Sequence, residues 1–288
     1  IPQSIHDQLQ QCIREFMIVG GMPGVLKTYI DSGKEFSLAV EEQHNIIQTY
    51  YLDFAKYQSR VDVLFLQRIF NRIPSQVGQL LKYVSLDRGS KALKVRENLE
   101  LLQKARLIYR VSHSDGNGLP LAAESDGSTF KLLFLDIGLL NTILGLKLTD
   151  FMYEDYVTIN RGAVAEQFIG QHVLHQGLPS EEPSLFYWNR QKQGSASEVD
   201  FLTCSGSQVI PVEVKAGKTG RLKSLQVFVN EKRTPVAVRF NSELPSLHTV
   251  RTGIAGQAPR DFDLLSLPLY MVDQLPRLID AILCSPPA

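Results

Sequence analysis

The chain has 288 residues, of which 30 are Lys or Arg and 30 are Asp or Glu, so its formal net charge is zero. That balance excludes a uniformly basic nucleic-acid coat protein and a uniformly acidic, disordered chain. With 44% hydrophobic and 21% charged residues, the composition is that of a globular protein with one large domain or two ordinary ones.

The longest apolar tract, 132–146, is broken by Asp136 and Asn141 and falls short of the roughly 18 residues that suggest a membrane span, so no transmembrane helix is expected. Cys12, Cys204 and Cys284 are widely spaced and odd in number, which fits a reducing cytoplasm better than a disulfide framework or a zinc site. The sequence starts at Ile1 with neither an initiator Met nor a signal region, and we expect it to be a piece of a longer protein.

From residue 5 to 111 apolar residues recur at helical spacing, as in Leu64, Ile69, Ile73, Val77, Leu80, Leu81 and Val84. Pro74-Ser75 offers a helix start, Asp87-Arg88-Gly89-Ser90 a turn, and 92–105 predicts an amphipathic helix through Val95, Leu99 and Leu102. Segments 107–111 and 130–135 predict two strands on either side of a turn-rich stretch. Helix, turn, helix, strand, loop, strand is the order of a winged helix-turn-helix, whose last helix would enter a major groove. Between residues 87 and 110 seven basic residues, among them Lys91, Lys94 and Arg96, stand against Asp87, Glu97 and Glu100, a local charge of +4. An ordinary solvated face on a module that contacts only protein accounts for the same charges, and the pattern leaves both readings open.

Beyond residue 150 helix and strand alternate, with helices expected at 161–175 and 224–230 and strands at 185–189, 198–203, 208–215, 235–239 and 267–272. The predicted fold class is α/β, with a helical joint over 1–60, a winged helix-turn-helix over 61–150 and a domain with a central mixed sheet over 151–288.

In Ile210-Pro211-Val212-Glu213-Val214-Lys215 the strand alternation puts Glu213 and Lys215 on one face, opposite Ile210, Val212 and Val214. Glu198-Val199-Asp200-Phe201-Leu202 alternates likewise, and the turn Ser205-Gly206-Ser207 folds the two strands into a hairpin that brings Asp200 near Glu213. Two carboxylates without His or Cys suit a hard cation such as Mg²⁺ or Mn²⁺, and Lys215 beside them suits an attacking water or charge developing on phosphorus. Glu166, on the helix upstream, is a candidate further carboxylate. An E-x-K triplet is common by chance, and an edge-strand ion pair on a solvated face explains the same residues, so spacing alone leaves both open. Around the triplet, residues 214–233 hold six basic residues, including Lys218, Arg221 and Lys223, against Glu231, a local charge of +5. Neutrality overall therefore does not exclude a polyanionic partner.

Glu166, Asp200 and Glu213-Val214-Lys215 resemble the PD-(D/E)XK nuclease superfamily, which has the restriction-endonuclease-like fold. Gly20-Gly21-Met22-Pro23, Phe134-Leu135-Asp136-Ile137-Gly138-Leu139, Arg161-Gly162-Ala163-Val164-Ala165-Glu166, Tyr187-Trp188-Asn189-Arg190 and Glu198-Val199-Asp200-Phe201 resemble the domain found C-terminal to the ATPase module in a large prokaryotic family of AAA-type ATPases, over residues 13–272. The resemblance implies a winged helix followed by a nuclease-like domain, with Asp200 and Glu213 as metal ligands, Lys215 as catalytic lysine and Glu166 as the helix carboxylate. It implies DNA and the protein's own N-terminal ATPase module as partners, with ATP bound only in that module, and is compatible with a homo-oligomer. A non-catalytic module that targets or regulates the ATPase is the alternative.

Gly20 to Thr28 superficially evoke a phosphate loop, but Leu26 stands where that motif needs Gly before the Lys, so a turn after a helix is expected instead. Gln226 is expected at the surface or in packing, His172 and His175 on an ordinary helix surface, and Tyr187 and Trp188 in the core.

Overall fold

The computed structural model describes residues 1–284 except 60, 126, 147–160, 179, 193–194, 216–221 and 255. The fold is α/β with a mixed sheet, and it divides into two compact units. A sheet unit comprises Ile1–Gln10, Val111–Phe130 and Phe168–Ala288, and a helical unit comprises Gln11–Arg110 and Lys131–Gln167.

The helical unit contains most of α1 (Gln3–Val19), then α2 (Pro23–Asp31), α3 (Phe36–Ala55), α4 (Val63–Arg72), the single turn α5 (Tyr83–Leu86), α6 (Ala92–Lys104) and α7 (Ile137–Ile143). As the spacing predicts, α6 buries Val95, Leu99 and Leu102. The longer apolar pattern before it does not continue in phase: Ile73–Gln76 is a 3₁₀ turn, and Leu64 and Val84, counted with the helical face, are exposed. A 3₁₀ turn has three residues per turn instead of 3.6, so the stripe loses its register before Val84, whereas Leu64, five residues ahead of Ile69, is off the buried face of α4 by the helix's own period.

Gly20-Gly21 forms the expected turn, and its neighbours show why glycine stands there. Gly20 has φ +73°, and a Cβ on it would lie 2.3 Å from Asp136 Oδ1. The Gly21 amide donates to Asp136 Oδ2 at 2.7 Å, and the Leu139 amide donates to Asp136 Oδ1 at 3.0 Å, capping α7. Gln43 Nε2 donates to the Ile18 and Val19 carbonyls at 2.8 and 2.9 Å. Burial raises the Asp136 carboxyl above its ordinary range, against the lowering effect of the amide donors. Helix α2 begins at once with Pro23, and Lys27 lies on its exposed side, paired with Asp31 at 2.7 Å.

In the sheet unit, β1 (Ile108–His113) pairs in parallel with β3 (Leu185–Lys192) through Val111, Ser112 and His113. The antiparallel β3, β4 (Ser195–Ser205) and β5 (Gln208–Val214) follow, with Gly206 at φ +55° in the predicted hairpin turn. Helix α8 (Arg161–Leu174), of which the residues up to Gln167 belong to the helical unit, precedes β3, and α9 (Lys223–Lys232) connects β5 to β6 (Val236–Asn241), which lies parallel to β5. The remaining elements are β7 (Ser246–Arg251), β8 (Asp261–Pro268) and α10 (Leu275–Cys284). With β2 (Phe130–Phe134), the strand order is β2-β1-β3-β4-β5-β6-β8-β7.

The strand expected at 267–272 is a correction: the last strand ends at Pro268, and Leu269–Gln274 is 3₁₀. Pro268 supplies no amide to continue a ladder. The turn-rich loop after β1 is built into the sheet unit. Asn117 is held by Glu124 at 2.9 Å and by Lys232 of α9 at 2.7 Å. No helix among the described residues is long and apolar enough to cross a membrane.

Candidate active site on the sheet unit

One face of the sheet changes character at the same level on four adjacent strands. Towards one end Leu202, Val209, Ala237 and Leu264 pack under Leu225 and Phe228 of α9 in a single apolar cluster. One side-chain step further along β4, β6 and β8, and two steps further along β5 with Pro211 between, the same face carries Asp200, Arg239, Ser266 and Glu213. The register makes these a row: Glu213 pairs with Arg239 and Arg239 with Ser266. Continuing the Phe201–Val212 register by one residue sets Asp200 opposite Glu213. The row lies near the C-terminal ends of the parallel strands β5, β6 and β8, where ligands of α/β sheets bind.

The backbone helps to aim Asp200. Phe186 pairs with Leu202 and Trp188 with Val199, so Asp200 and Phe201 stand opposite Tyr187 alone, which is a β-bulge on β4. The β4–β5 ladder ends at Phe201–Val212, and beyond it the Val214 amide donates to Asp200 Oδ2 at 2.8 Å. Glu213 is buried, with 6% of its surface exposed, and its Oε1 accepts from the Lys215 ammonium. Asp200, Glu213 and Lys215 are thus brought together within one unit.

Glu166 belongs to the helical unit, where its Oε1 accepts from Lys131 Nζ at 2.9 Å. Both side chains are nearly inaccessible, and Glu166 Oε2 lies against Gly78, where a Cβ would sit 3.1 Å away. Neither Lys131 nor Arg239 was among the predicted site residues. Each is a lone basic residue within a buried strand, and a charge breaking an apolar run is the signal that marks it.

The donor set of Asp200 and Glu213 is all oxygen, from two carboxylates on neighbouring strands at positions that the continued register sets opposite one another. It fits a hard cation, for which Asp200 and Glu213 would supply one or two carboxylates. Among the described residues no group of three or more His, Cys, Asp or Glu side chains is placed to hold a metal. His172 and His175 each turn Nδ1 onto a carbonyl one turn back, of Phe168 and Gln171, at 2.8 Å. Gln226 accepts from the Gly253 amide at 3.1 Å, and Trp188 packs edge-on to Phe228 in the core.

Of the residues expected to contact nucleic acid, Lys91 is exposed at the start of α6 and Lys223 at the start of α9. Lys94 pairs with Asp62 at 2.7 Å and lies 4.2 Å from the Phe65 ring centre, while Arg96 pairs with Glu100 at 2.7 Å. Lys218 and Arg221 lie outside the described residues.

Two family models match the chain. Residues 10–150 match a domain of unknown function, DUF8612, and residues 161–255 match another, DUF4143. The second match contains Glu166 and the whole of Asp200, Glu213, Lys215 and Arg239. Neither the curated proteins nor the solved structures gave a match.

Proposed function

We propose that the sheet unit is a metal-dependent phosphodiesterase that acts on DNA, joined in the complete protein to an AAA-type ATPase module. The observation that carries this reading is the opposition of Asp200 and Glu213 on adjacent strands, with the Lys215 ammonium on Glu213. Asp200 and Glu213 would hold Mg²⁺ or Mn²⁺. Such an ion neutralises phosphate charge and lowers the pKa of its bound water. Asp200 accepts from the Val214 amide, which would hold its carboxylate in place for such an ion. Lys215 supplies a positive charge next to the reacting phosphorus and a donor to orient water. The role of Glu166 as a helix carboxylate rests on the resemblance to PD-(D/E)XK nucleases. ATP belongs to the ATPase module in this reading, and the setting is the cytoplasm.

The test is cleavage of plasmid and linear DNA, and of RNA, with Mg²⁺ or Mn²⁺. Wild type is expected to nick DNA, and D200A and K215A to lose the activity while keeping a cooperative melt. Absence of cleavage of any polynucleotide by wild type with either metal would sink the hydrolytic reading.

A second reading, a non-catalytic module that directs the ATPase to DNA or protein, is favoured by the outer side of α6. Lys91, Lys94 and Arg96 lie there beside Leu93, which is 64% exposed. Salt-sensitive DNA binding without cleavage is its signature.

A further inference from the structure

Arg239 has no part in the scheme above, yet it stands in the middle of the row. It pairs in register with Glu213 on one side and Ser266 on the other, so its side chain leaves the same face of the sheet. Neighbouring strands are about 4.8 Å apart, which puts the origin of its side chain one strand from Glu213 and two from Asp200. Its Nη2 donates to Ser266 Oγ at 3.1 Å. Its Nε is buried and, among the described residues, has no hydrogen-bond acceptor, and none of them forms an ion pair with the guanidinium.

Arg239 is partly buried, and its enclosed Nε–H lacks both water and, among the described residues, an acceptor until an anion meets it, while the planar fork of the guanidinium matches two oxygens of a phosphate. Ser266 Oγ holds one edge of Arg239 and leaves Nε–H as an ordered donor beside the carboxylate pair. A carboxylate substrate would meet Asp200 and Glu213 as like charges. A phosphodiester bridged to them by a divalent cation is drawn to both the cation and Arg239.

We propose that Arg239 is the residue that binds the substrate's phosphate, with Ser266 as its positioning residue. The inference rests on the phosphodiesterase reading for the identity of the substrate, but the binding of phosphate oxygens by Arg239 is testable without turnover. Nitrogen-15 spectra of the intact chain report the Arg239 Nε–H group directly, assigned by its disappearance in R239K. Inorganic phosphate, added with Mg²⁺, is expected to shift that signal, and chloride with the same Mg²⁺ at matched ionic strength to leave it in place. A short single-stranded deoxyoligonucleotide in Ca²⁺ is expected to shift it at lower concentration than phosphate does. R239Q is expected to weaken oligonucleotide binding by about ten- to a hundredfold, with R239K intermediate, because a charge-assisted pair of hydrogen bonds is lost. S266A is expected to weaken binding less than R239Q while the Nε–H signal broadens.

An unmoved Nε–H signal with both probes overturns the proposal, as does unchanged oligonucleotide affinity in R239Q. R239K retains the cation and serves as the folded comparison if R239Q loses its cooperative melt. Cleavage by wild type together with an unmoved Nε–H signal would remove only this inference. Phosphate binding at Arg239 without any cleavage would remove only the hydrolytic reading.

Discussion

The carboxylate of Asp200 replaces a backbone carbonyl in the sheet: its Oδ2 accepts the Val214 amide at 2.8 Å just beyond the last β4–β5 pair. A candidate metal ligand is therefore also a structural acceptor, and substitutions separate the two roles. D200A leaves a buried amide without this acceptor and is expected to cost about 1–3 kcal/mol. D200N retains an acceptor oxygen and is expected to recover most of that loss. Both are expected to abolish metal-dependent cleavage, since a neutral amide is a poor ligand for a hard cation. Urea unfolding of the three proteins checks the first part, and equal stabilities of D200A and D200N would refute it.

Lys131 and Glu166 form a buried pair at 2.9 Å inside the helical unit. Removing one member of such a pair takes away the opposite charge at 2.9 Å in a low-dielectric interior. K131M is expected to destabilise by about 3–5 kcal/mol. Replacing both, as K131M/E166L, removes the desolvation cost of both ions and is expected to restore much of the stability. A double variant no more stable than K131M would show that the pair's electrostatics do not govern this site.

What was legible in the sequence followed from periodicity. Helix α6 was readable from Val95, Leu99 and Leu102, and the β4–β5 hairpin from its alternation and from Gly206. Glu213 and Lys215 are readable from the alternation of one strand and Asp200 from the hairpin that pairs with it, whereas the β-bulge that aims Asp200 is marked by no local spacing. Strand β7 is not readable, because Leu247, His248 and Thr249 are all exposed and give neither an apolar run nor a buried alternation. The end of β8 differs from the expected strand because Leu267 to Val272 is apolar throughout, and hydrophobicity does not distinguish a strand from a 3₁₀ turn begun by Pro268. Arg239 escaped because its significance lies in long-range register, β5 to β6 to β8, which no local spacing carries.

Asp136 lends the helical unit a specific pH dependence. Burial raises its folded-state pKa above that of the unfolded chain, so the folded chain holds the proton more tightly. Stability from this group is fully present below the unfolded carboxylate value of about 3.9 and is lost as pH rises through the folded value. D136N stays neutral and keeps an acceptor for the Gly21 or the Leu139 amide. The stability of wild type relative to D136N is therefore expected to fall as pH rises from about 4 towards neutrality. Denaturant unfolding of both proteins over that range measures it, and a difference that grows with pH would reverse the assignment.

The outer side of α6 yields a test with opposite signs. Lys94 and Asp62 are about half exposed, and an ion pair in that setting contributes little and is readily exchanged for a phosphate contact. Should α6 face DNA, K94A weakens binding and lowers the slope of log affinity against log salt by about 1. D62N should act the other way, releasing Lys94 and removing a negative charge that repels phosphate. Asp62 also caps α4 by accepting the Phe65 amide at 3.1 Å, and Asn caps as well, so the helix survives the change. Affinities measured over a salt series decide the matter. If K94A and D62N leave both affinity and slope where wild type has them, DNA does not lie on α6, and the exposed Leu93 and Leu101 make that surface a protein contact instead.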